Sequence, residues 1–178
     1  MEHLTSDNLR PSSENLMLEI RRDKYNPARR YCVGIVPSLE DVPLAIEPVS
    51  SNYSLFLAID ATPINDGTLR KTAKFLLERG AAYFCVWGPD CERAHDQFDM
   101  ERMPEEPKGR IVMTTWHSKE SLSEALWFFA NCVEPDEGFE ADCTDWVAVS
   151  VMNEAWAQEI RVNLIEGRVT GNDASSPE

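Results

Sequence analysis

Cys91 and His95 are four residues apart, a spacing that puts both side chains on one face of a helix. In a helix's first turn, backbone N–H groups and the macrodipole favour a thiolate, and a neighbouring imidazole can take its proton. That is the chemistry of a nucleophilic cysteine. Against it, Asp90 and Glu92 flank the thiol, Arg93 offsets only one of them, and no Cys-x5-Arg phosphate loop follows. The plainer expectation is that Cys91 packs beneath a turn, as free cysteines usually do, while His95 bonds to a loop. His117 is a second candidate acid or base, with Asp60 or Asp90 to orient it. A histidine at a strand end more often satisfies loop backbone. Asp60 and Asp90 are the acids that could hold Mg²⁺, but a third ligand is lacking, and Asp90 is also a good N-cap for the helix that follows.

Zinc-type donors are present in Cys85, Cys91, His95 and His117, without Cys-x2-Cys or His-x3-His spacing, so no metal is expected. The chain has no G-x-G-x-x-G and no G-x4-G-K-[ST], and its eight glycines leave no cradle for a dinucleotide or nucleoside triphosphate. No cofactor is expected. G-x-S-x-G is absent, which removes the α/β-hydrolase elbow. Trp87, Asp90, Thr115, Trp116 and Asn153 are candidates for binding a ligand or partner. Trp87 and Trp116 would floor a pocket or anchor a partner if their strands are neighbours.

These residues fall at the ends of regular elements. Apolar runs at 31–37, 53–59, 82–87, 110–116 and 145–151 read as strands. Helices are expected over 66–79, from 91 to about 103, from 121 to about 133 behind a Ser121-x-x-Glu124 capping box, and from 153 to about 166. Prolines 37, 43 and 48 argue against a long helix between the first two strands. The helix containing LWFFANCV carries aromatics round most of its circumference and is assigned to the core, with a partner-facing side as the alternative. Short, nearly continuous apolar strands alternating with helices predict parallel pairing covered on both faces. The expected fold is a three-layer α/β/α sandwich with a mainly parallel sheet of about five strands, Rossmann-like or flavodoxin-like. Such sheets bind ligands beyond the carboxyl ends of their strands, where Asp60, Trp87, Asp90, Cys91, His117 and Asn153 collect.

The expected organisation is a peripheral, partly ordered N-terminal arm over 1–28, one domain over 29–167 and a flexible tail over 168–178. Within the arm, Leu16, Met17 and Ile20 could dock as a short strand or helix. The stretch 21–30 holds five of the 17 basic residues, and an acidic run at 134–145 offers them an internal partner.

The net charge of −14 opposes binding to nucleic acid and would steer a basic protein partner. No apolar stretch approaches a membrane span, and the first residues do not resemble a signal peptide. Five cysteines, mostly inside apolar runs, read as reduced thiols. A cytoplasmic protein is expected.

The segments AAYFCVWGPDCERAHDQFD, TTWHSKESLSEALWFFANC and WVAVSVMNEAWAQEI resemble a family of uncharacterised bacterial proteins with W-G-P-D-C-E-R-x-H-D and T-T-W-H motifs. The resemblance spans roughly residues 53–160 and implies a bacterial, cytoplasmic protein, with no catalytic assignment. The functional expectation is a soluble, acidic, non-enzymatic interaction module, of inhibitor, immunity or accessory type, that binds a basic partner. The alternative is a small α/β enzyme, or a nucleotide- or small-ligand-binding domain, using Cys91, His95 and His117 at the carboxyl edge. Oligomeric state is not readable.

Overall fold

Six strands form one sheet in the order β1-β2-β6-β3-β4-β5. The computed structural model describes residues 18–46, 50–101, 111–139 and 141–168. The five strands β2 (Arg30–Val36), β3 (Asn52–Ala58), β4 (Ala81–Trp87), β5 (Met113–His117) and β6 (Cys143–Val151) are parallel. β1 (Glu19–Arg22) adds an antiparallel edge beside β2, so part of the arm belongs to the sheet. Leu16, Met17, Pro48, the segment 102–110 and most of the tail lie outside the described residues.

The helices are α1 (Val42–Ala45), α2 (Asp66–Glu78), α3 (Cys91–Met100), α4 (Leu122–Asn131) and α5 (Glu154–Ile160), the last running into a π-helical turn, Arg161–Ile165. A proline in the first turn accompanies the brevity of α1. Asn65 caps α2 through the Thr68 N–H, and Ser121 and Glu124 close the expected capping box of α4. Asp90 is a correction. It takes a left-handed backbone (φ 58°) and makes no side-chain cap to α3. Its carboxylate instead accepts from Arg93 Nε at 2.6 Å.

Stepping from β3 to β4 to β5 runs one way across the sheet, while the return from β5 to β6 runs back. Right-handed crossovers therefore put α2 and α3 in one layer and α4 in the other. The packing agrees, with α2 against α3 and α4 against α5. This doubly wound sandwich carries its core on both faces of β3. Phe56 meets Phe129 of α4 with centroids 5.4 Å apart, and Phe84 of β4 meets Phe98 of α3 at 5.0 Å.

The core assignment for the aromatic helix needs correcting at one position. Leu126 and Phe129 are buried, but Trp127 is 53% exposed. Ten residues cannot turn every side chain toward one sheet, and Trp127 falls on the outer side of α4.

The cationic stretch is satisfied internally, mostly by carbonyls. Arg21 donates to Leu164 O, Arg22 to Pro27 O and Arg29 to Ala130 O. Arg30 pairs with Asp145 at 2.6 Å, and Asp145 has no exposed surface. The last acid of the run thus belongs to a strand interior. Its other oxygen accepts from the Ser50 N–H (2.9 Å) and hydroxyl (3.0 Å).

Two stability outcomes follow from these burials. Asp145→Ala strands a largely buried guanidinium and is expected to cost about 3–5 kcal/mol in urea unfolding. A loss under about 1 kcal/mol would contradict the role given to that carboxylate. Trp127→Ala is expected to cost less than about 1 kcal/mol and Phe129→Ala about 3–5 kcal/mol, measured the same way. Equal losses would contradict their placement.

Candidate functional site

Where adjacent parallel strands send their chains to opposite faces, a crevice opens beyond the carboxyl ends. β4 and β5 form one such pair, because β4 leads into α3 on one face and β5 into α4 on the other. Trp87, Asp90, Cys91 and His117 gather there.

Gly88 makes the turn after β4. It has φ 121°, and an added Cβ would collide with the Ile59 carbonyl oxygen, so glycine is required twice over. This close approach lets backbone bonding continue past the strands, with Ile59 N–H to Trp87 O and Ala61 N–H to Pro89 O, both 2.9 Å. Arg93 then fastens the loops together. Its guanidinium reaches Asp90 and Asp66, each at 2.6 Å, and the carbonyls of Ala61 and Ile64. The sequence reading missed Arg93 as a structural hub. Its i,i+3 spacing from Asp90 was the available signal.

Cys91 is wholly buried. Burial pushes its thiol above the ordinary value of 9.0, although backbone N–H groups, including those of His117, Gly88 and Glu92, pull the other way. His95 is not placed to activate it. His95 Nδ1 lies 3.1 Å from Asp96, and its ring packs on Trp116 at a tilt of 49° with centroids 4.6 Å apart. Cys91 and His95 share the helix α3 but face different partners. All five cysteines are free, and only Cys132 is exposed. Burial pushes Cys32 and Cys85 up to about 12 and Cys143 to about 11.

His117 is buried against Phe128 of α4, with ring centroids 4.9 Å apart. Neither Asp60 nor Asp90 orients it. Its nearest carboxylate is Glu120, 3.7 Å from Nδ1. Asp60 accepts from the Thr62 N–H at 3.0 Å, and Asp90 is held by Arg93. Each acid serves its own loop. His117 Nε2 is buried with no hydrogen-bond partner. Burial holds the His117 pKa below its ordinary 6.5, with Glu120 opposing.

β4 and β5 are neighbours, but their register pairs Trp87 with His117 and Trp116 with Val86. Side chains alternate along a strand, so the two tryptophans lie on opposite faces. Trp87 meets Trp156 of α5 edge-on at 5.1 Å and donates from Nε1 to Glu120 O at 2.9 Å. Trp116 packs on His95 of α3 and remains 43% exposed. They do not floor one pocket. Thr115 sits within the strand, its hydroxyl against Tyr83 and Cys85. Asn153 caps α5 through the Trp156 N–H at 3.0 Å, and its carbonyl accepts from Ser150 Oγ at 2.7 Å.

Among the described residues, no helix is long and apolar enough to cross a membrane. A family model for a domain of unknown function, DUF7684, matches residues 36–166, and the chain belongs to that family. No curated protein matches the chain.

The buried imidazole has a measurable consequence. Below pH 6.5 the unfolded chain takes up a proton that folded His117 refuses, so stability drains as pH falls toward the lowered folded value. Stability of the protein relative to His117→Gln should therefore decline below that pH, by up to about 1.4 kcal/mol per unit. Parallel stability–pH curves would contradict the burial of a neutral imidazole.

Proposed function

We propose that the chain is a non-enzymatic interaction module that binds a basic protein, as an inhibitor, immunity protein or accessory subunit does, in a bacterial cytoplasm. The observation that carries this reading is that two tryptophans, in opposite layers of the sandwich, are left open on an anionic molecule. Trp116 and Trp127 are both about half exposed on a chain of net charge −14. Exposed tryptophans are typical anchors of protein interfaces, and a strong negative field accelerates encounter with a cationic partner. The candidate nucleophile and bases are occupied otherwise. Cys91 is buried as a thiol, His95 faces Trp116, and Asp60 and Asp90 close loops.

One observation favours the second reading, a small ligand at the carboxyl edge. His117 Nε2 is a buried polar atom without a partner, as a ligand-accepting group would be before binding. Its burial beneath Phe128 leaves it little access.

The test is capture of partners on the immobilised protein from its native lysate at low and high salt, followed by reconstitution with the purified candidate. A near-stoichiometric basic protein, released by salt and rebinding when purified, is the expected result. No partner at either salt, together with thermal stabilisation by a small metabolite that His117→Gln abolishes, would overturn the proposal in favour of the second reading.

A further inference from the structure

The two ends of the sheet are finished differently. β1, at one end, carries Glu19, Arg21 and Arg22, and charge on an edge strand discourages further pairing. β5, at the other end, reads MTTWH and has no lysine, arginine, acid or proline. Met113 is 42% exposed there and Trp116 43%. Its pairing among the described residues is with β4 alone. An edge strand of this kind invites another strand.

The surroundings choose which strand. α3 lies over the face of β5 that carries Thr114 and Trp116, with Thr114 Oγ1 donating to Asp99 at 2.9 Å and Trp116 packed against His95. Besides Asp99, which Thr114 engages, that helix and its end carry Glu92, Asp96 and Glu101. Of its basic residues, Arg93 is already committed to Asp66 and Asp90. A second copy that paired through its own β5 would bring the same acids to the same place and be repelled. The opposite face of β5 carries Met113, Thr115 and His117, and Met113 is the one of the three that stands exposed.

We infer that the β5 edge receives an extended basic segment of the partner as an added strand, with basic side chains toward the acids of α3 and apolar ones toward Met113. This rests on the interaction-module reading and specifies where and how the partner binds. Main-chain pairing would supply affinity, and the alternation of the two faces would supply selectivity.

The experiment pans a phage library of random short peptides on the immobilised full chain at low ionic strength. A recovered peptide is then synthesised, and backbone hydrogen exchange of the protein is followed with and without it. The expected peptides alternate basic and apolar residues. They protect the amides of Met113–His117, and bind Trp116→Lys and Met113→Lys about tenfold or more weakly. Both positions are exposed, and circular dichroism confirms that the variants fold. Basic peptides that protect another surface and ignore both substitutions would overturn the β5 assignment while leaving the basic-partner reading standing. Recovery of peptides with no basic enrichment, or of none, would overturn both.

Discussion

At the amino ends of three neighbouring strands sits a carboxylate that no water reaches. Asp145 opens the buried part of β6, and its two oxygens hold Arg30 at the start of β2 and Ser50 just before β3. A buried charge is tolerated only when it is paired and hydrogen-bonded, so this arrangement forces the three chains into a single relation. Arg30 pairs directly with Asp145 in the β2–β6 register, and Tyr53 does so in the β3–β6 register. A slip of one residue would turn the carboxylate to the other face and leave both partners unmatched. The order of the sheet depends on this contact, and so does the position of everything at the opposite ends of the strands.

Those opposite ends are tied together by the protein's own groups. Gly88 brings the β4 turn against Ile59, Arg93 gathers two acids and two carbonyls, and Asn153 closes the start of α5. An edge rich in polar side chains looks reactive in one dimension. In three dimensions most of its polarity is spent on holding loops and capping helices. Beside that edge Trp116 stays exposed next to the acids of α3, and the proposed binding role rests on this surface.

The apolar strands and the amphipathic helices were legible in the sequence because burial on both faces writes itself locally, as uninterrupted runs between turn residues. The capping box at Ser121 and the cap at Asn153 were legible for the same reason. Asp145 was legible in part: the acidic run was expected to partner the cationic stretch, and Arg30 does pair with Asp145, but its burial inside β6 depends also on Ser50, 95 positions away. Asp90 misled as a cap because Arg93, three residues on, competes for its carboxylate and the backbone turns left-handed. Trp87 and Trp116 misled because the strands proved to be neighbours, the condition set for a shared pocket, yet register decides which face a side chain takes and it sets the two apart. Trp127 illustrates the limit of composition, for an aromatic-rich helix still has an outside.

The central claim is that the carboxyl edge is structural and the chain acts by binding. The direct measurement is the rate of iodoacetamide modification of each remaining cysteine in a Cys132→Ser variant, followed against pH by peptide mass spectrometry. The account predicts that Cys91 reacts no faster than buried Cys32 and Cys85, with a rate still climbing above its ordinary pKa of 9.0. A Cys91 modified far ahead of the others, with a rate that levels off below about pH 7.5, would reveal an activated thiolate and contradict it.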